Sequence, residues 1–198
     1  MNPLRTQVKF FLENDPASVD QSQFMGVFQR WIQRKALEGQ LIDVADYRHV
    51  WEGPGILLVA HDSDYAIETR DSRLGLLYTR KRQVDPDLAS QLRVSLRLAL
   101  TACQLLEKER IFYPKLKFAA NEFEIRFPDR LQLPNRPESF EIVKDDLSTI
   151  LTELYGADSV DFAPVTQDKR YLFTVKVESS APKRVGDLLQ FLQPDGAH

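Results

Sequence analysis

The chain has 198 residues, 43% hydrophobic and 28% charged, with 12 Phe, which excludes a disordered chain and suffices for one domain or two small ones sharing a core. A formal charge of −3 and a pI near 5.7 exclude whole-molecule attraction to phosphate backbones or anionic lipid, so nucleic acid is an unexpected partner unless a local basic patch forms. The one cysteine, Cys103, excludes an intramolecular disulfide and a thiolate metal cluster; with no secretory h-region and no membrane-length apolar run, a cytoplasmic protein with no membrane partner is expected.

In chain order, the apolar run 8 to 12, closed by Asn14-Asp15-Pro16, predicts a buried strand. Asp20 and Gln23 have capping-box spacing, and Phe24, Val27, Phe28, Trp31 and Ile32 recur at helical intervals until Gly39 can close a helix. Residues 41 to 50 and 55 to 61 read as two arms of a hairpin, and 65 to 69 with 74 to 79 as a second, making four strands in succession. Asp85-Pro86 has the form of an N-cap followed by the first helical position, and Leu88, Leu92, Leu96, Ala99, Cys103 and Leu106 trace the core face of a helix reaching about residue 109. Residues 116 to 119 and 122 to 127 predict two strands or one kinked strand, followed by a Pro-rich linker at 128 to 137. A third helix is expected from 138 to 155, ending at Gly156, then strands at 160 to 165 and 171 to 177, a short helix at 183 to 192, and a frayed tail.

This order predicts an α+β fold, with helices packed on an antiparallel sheet. A first half (residues 1 to 113) and a second (114 to 198), sharing one core, both contain a β-α-β-β-α succession typical of ferredoxin-like layers. Asp43 and Ala45 match Asp161 and Ala163 at a constant offset, so tandem duplication is one reading and chance similarity between amphipathic strands the other.

The segment 43 to 65 concentrates chemistry: it holds two of the three histidines around Gly53-Pro54-Gly55. A two- or four-residue turn centred on Gly53-Pro54 would place Asp46 opposite His61, with Cβ atoms about 5 Å apart, as a general base with its orienting acid or as two metal ligands. A three-residue turn would put Tyr47 there instead and dissolve the pair. The other reading is an exposed cross-strand ion pair. His49 has the opposite parity to Asp46 and points to the other sheet face, while Asp43, Asp62 and Asp64 are the remaining weak metal candidates.

Residues 70 to 97 carry Arg70, Arg73, Arg80, Lys81, Arg82, Arg93 and Arg97, candidates for a partner-binding patch or, beside an exposed Tyr65 or Tyr78, for gripping RNA. A solvated face is the bland alternative. Cys103 on a core stripe reads as an inert packing residue. Phe10, Phe11, Phe24, Phe28 and Trp31 crowd the first 31 residues and predict either a shared core or a dimer surface. No phosphate-binding glycine loop, nucleophile elbow or zinc-protease motif occurs, and no cofactor is implied. The leading expectation is a non-catalytic cytoplasmic module acting through protein contacts, as a homodimer; a small metal-dependent enzyme or sensor on Asp46 and His61 is the alternative, and RNA binding through 70 to 97 a weaker one.

Overall fold

The computed structural model describes residues 5–82, 87–166 and 168–193. The elements are β1 (Thr6–Leu12), α1 (Gln23–Arg34), β2 (Leu41–Tyr47), β3 (Gly55–Ala60), β4 (Ser63–Glu68), β5 (Gly75–Arg80), α2 (Leu88–Lys108), β6 (Phe118–Phe127), α3 (Pro137–Tyr155), β7 (Val160–Pro164), β8 (Phe173–Ser179) and α4 (Val185–Leu192). The strands form one eight-stranded sheet in the order β2-β3-β4-β5-β1-β6-β8-β7, every neighbouring pair antiparallel.

The period of two along the strands sorts the residues between two unlike faces. Val8 and Phe10 of β1, Ile56 and Leu58 of β3, Leu76 and Tyr78 of β5, Phe123 and Ile125 of β6, and Val175 and Val177 of β8 turn to the helices and are all fully buried. Helix α2 crosses β1 and β5 and touches α3 and α4, so its apolar stripe, Cys103 included, closes the centre of the core. Helix α1 joins through Phe24 against Phe112, ring centroids 4.6 Å apart, and through the Trp31 indole N–H, which donates to Glu109 at 3.2 Å. The five early aromatics are all buried, Phe10, Phe24, Phe28 and Trp31 in the shared core and Phe11 on the opposite sheet face under Arg73, so they leave no aromatic dimer face there.

The α+β class and antiparallel sheet agree with the sequence, whereas the ferredoxin-like duplication is not confirmed. Five strands come from the first half and three from the second, the two sets meeting where β1 pairs with β6. Several local expectations differ. Helix α1 ends at Arg34, five residues before Gly39, because Lys35 turns left-handed (φ 50°) and its N–H closes onto Ile32 and Trp31. Asp20 forms no capping box; its carboxylate accepts from the backbone and hydroxyl of Ser22. The Asp85-Pro86 cap lies outside the described residues, and Asp87 caps α2 by accepting from the Ser90 N–H at 2.8 Å. Of the two readings of residues 116 to 127, the single strand holds, as β6 from Phe118 to Phe127 with a register shift in its pairing to β1, whereas the expected linker is a packed connection in which Leu133 and Asn135 are buried.

Gly75 fills a place that no side chain could. A Cβ there would lie 2.4 Å from the Phe10 carbonyl oxygen and 3.1 Å from Cε of Lys9, whose side chain runs across it. Gly75→Ala should therefore force β5 and β1 apart and cost about 2 to 3 kcal/mol. Urea unfolding is the check; an unchanged midpoint would show that the two strands have room to spare.

Candidate functional site

The register of β2 with β3 decides the fate of the expected dyad. Asp46 pairs with Ile56 and Tyr47 with Gly55, so His61 lies five residues further along, roughly 16 Å at strand rise, and the Asp46/His61 pair does not form. The reason is local. Gly55 belongs to the strand, not to the turn: its φ is +66° and a Cβ would meet the Ile67 carbonyl oxygen at 1.9 Å. The connection instead runs over residues 48 to 54 as successive tight turns, with the Val50 N–H donating to Tyr47 and the Gly53 N–H to Val50.

Each candidate from this segment has another partner. The Asp46 carboxylate accepts from the Arg48 guanidinium through both oxygens, which holds it down at about 2. The His61 Nδ1 lies 2.9 Å from its neighbour Asp62, and Asp62 also faces Arg82 at 3.7 Å. Asp64 accepts from Lys81 at 2.9 Å, and Asp43 from the Val44 N–H. Among the described residues no group of three or more His, Cys, Asp or Glu converges to hold a metal.

The basic run 70 to 97 does not gather into a patch either. Arg73 pairs with Glu122, Lys81 with Asp64, Arg82 with Asp62, Arg93 with Glu153 and Arg97 with Glu38, the first three on the connections at either end of β5 and the last two on α2. Arg80 is buried against the Tyr78 hydroxyl and the Arg82 carbonyl. Tyr65 and Tyr78 are fully buried on the helix face, so they offer no stacking platform for bases.

What the structure gathers is a set of charges on the sheet face away from the helices. Lys9, with no exposed side-chain surface, lies 2.9 Å from Glu68 of β4; Arg126 of β6 donates from Nη1 to Glu68 at 2.9 Å and from Nε and Nη2 to Glu124. The 69 to 74 connection closes over them as a strap: Lys9 Nζ donates to the carbonyls of Arg73 at 2.9 Å and Arg70 at 3.4 Å. Three acceptors claim three N–H bonds, which only the ammonium form carries. Burial pulls the Lys9 ammonium below the ordinary lysine value against the opposing Glu68. Burial works to raise the Glu68 carboxyl, but Arg126 and Lys9 outweigh it and hold it below its ordinary range. Arg73 also stacks on Phe11, 3.6 Å from the ring centre, and with Lys176 holds the Glu122 carboxylate at about 2.

Two clefts flank the strap. A large open one, about 840 Å³, lies between the 47 to 53 tip, Val19 to Gln21 and the strap residues Arg70 and Ser72; Trp51 stands at its rim, 90% exposed. A smaller one, about 280 Å³, lies on the other side, between Arg126, Arg70 and the β7–β8 connection. The ionic cluster left a faint trace in the sequence: Lys9 inside the apolar run Val8 to Leu12, and Glu124 and Arg126 alternating with Phe123, Ile125 and Phe127. Charges of both signs inside central strands are that signal. Comparison with protein-family models, curated proteins and solved structures finds no match.

Two predictions come from the cluster. Lys9→Met leaves Glu68 to Arg126 alone and strands two carbonyls, and should lower stability by about 3 kcal/mol in urea unfolding. Glu122 is a depressed acid, so its contribution is present above the ordinary value of 4.5 and lost as pH falls toward about 2. The stability gap between the parent and Glu122→Gln should therefore be widest above that window and close within it; a gap independent of pH would contradict the assignment.

Proposed function

We propose that the protein is a cytoplasmic, non-catalytic binding and assembly module that pairs with a second copy of itself through the Trp51 tip and the cleft beside it. The observation that carries this reading is the exposure of Trp51. An indole that large standing in water has no role in its own fold, while tryptophan and arginine are the residues on which interfaces concentrate their energy. Its backbone is preset, because the Arg48 and Asp46 side chains pair across the start of the tip and two turn hydrogen bonds brace the rest. A rigid anchor loses little entropy on docking.

Self-pairing is supported by the mixture of signs around the cleft. Arg48 and Arg70 lie on the same surface as Asp20 and Glu52, so a two-fold axis can set each cation opposite a carboxylate of the other copy. An aromatic projection and a receiving cleft on one face are what an isologous contact needs. The lone Cys103, fully buried, suits a reducing compartment.

Sedimentation equilibrium over a range of concentrations tests the proposal. The parent should fit a monomer–dimer equilibrium, and Trp51→Ala should weaken it by about thirtyfold or more. Leu131→Ala, at a 97% exposed site, should leave it unchanged. A parent that stays monomeric, or a dimer indifferent to Trp51, would overturn the proposal.

A further inference from the structure

We infer that the smaller cleft, beside the strap on the open face of the sheet, is a binding site for a small monocarboxylate with an apolar body. It is lined by Arg70 of the strap, Glu124 and Arg126 of β6, Val165 and Thr166 after β7, and Tyr171, Leu172 and Thr174 at the start of β8. The site therefore draws on both halves of the chain and is separate from the Trp51 cleft, although Arg70 borders both.

Arg126 supplies the central argument. Its side chain is only 4% exposed, yet it borders the cleft, and each of its nitrogens donates once, Nη1 to Glu68 and Nε with Nη2 to Glu124. These bonds use three of the five N–H donors of a guanidinium, and the second hydrogens of Nη1 and Nη2 are what a planar carboxylate in the cleft would accept.

The charges around the cleft favour an anion. Lys9 and Arg126 are balanced by the carboxylates of Glu68 and Glu124, and Arg70 adds a guanidinium to the lining. The remaining wall is apolar, with Val165 and Tyr171 half exposed at the mouth and Leu172 beside them. Hydroxyls of Thr166 and Thr174 are the other polar groups of the lining, and the Thr174 hydroxyl already donates to the Leu172 carbonyl. The mouth is braced: the Asp168 carboxylate chelates Arg170, and the Arg130 guanidinium donates to the Arg170 carbonyl. A cleft of 280 Å³ has the volume of about nine liquid waters, which suits an acid of about ten heavy atoms such as phenylacetate.

Isothermal titration of the full chain with phenylacetate, with phenylacetamide as its neutral isostere, and with inorganic phosphate tests the inference. Phenylacetate should bind saturably in the millimolar range or below, and the amide and phosphate about tenfold more weakly or not at all. Arg70→Gln removes a side chain on the strap but leaves its backbone carbonyl for Lys9, so the variant should melt like the parent and bind phenylacetate about tenfold more weakly. Tyr171→Ala, at a 56% exposed position, should weaken binding without unfolding the chain. No binding of phenylacetate, equal binding of the amide or of phosphate, or binding that neither variant alters would overturn the inference.

Discussion

Lys9 lies in the middle of the sheet, on the face away from the four α-helices described, and yet has no contact with solvent. An ammonium held there without partners would cost several kcal/mol, so the surroundings must answer its charge and each of its hydrogens. The answer dictates much else. Glu68 has to stand at the end of β4, the connection after it has to fold inward so that two carbonyls reach Nζ, and at residue 75 a Cβ would meet the Phe10 carbonyl oxygen and crowd the lysine stem. Arg126 then joins from the other half of the chain, because Glu68 accepts from both cations, and Glu124 completes a neutral quartet.

Each of these placements shapes the surface on which binding is proposed. The strap that covers Lys9 separates the two clefts and sends Arg70 to the edge of both. On one side, the long 48 to 54 connection raises Trp51 clear of the fold; on the other, the β7–β8 connection rises beside Arg126. The helix face, by contrast, is mostly apolar packing with a few buried polar groups, among them Thr6 bonded to Ser95. Cys103 illustrates it: burial holds the thiol well above its ordinary value, and it serves as a small apolar side chain in α2.

Much of this fold was legible from residue patterns, because helical and strand periods report burial directly. Leu88 to Leu106 announced α2, Val143 to Leu154 announced α3, and the run from 41 to 80 announced four consecutive strands. The site was not legible to the same degree. Gly53-Pro54-Gly55 has the composition of a tight turn, and only the approach of the Ile67 carbonyl to Gly55 shows that the strand has already begun there. The cations of residues 70 to 97 are close in sequence, but their partners Glu38, Asp62, Asp64, Glu122 and Glu153 come from four separate places. Lys9, Glu68 and Arg126 are far apart in the chain, and their meeting depends on β1 lying between β5 and β6, an order that local pattern does not specify.

The central claim is that the buried quartet ties the two halves and the strap into one cooperative unit. Native-state hydrogen exchange tests it most directly, by comparing the amides of β1 and β4 with those of β6 and β8. The account predicts that all four strands open together, with one common free energy and one common dependence on urea. If β6 and β8 exchange through an opening that leaves β1 and β4 protected, the halves are independent and the quartet is not what joins them.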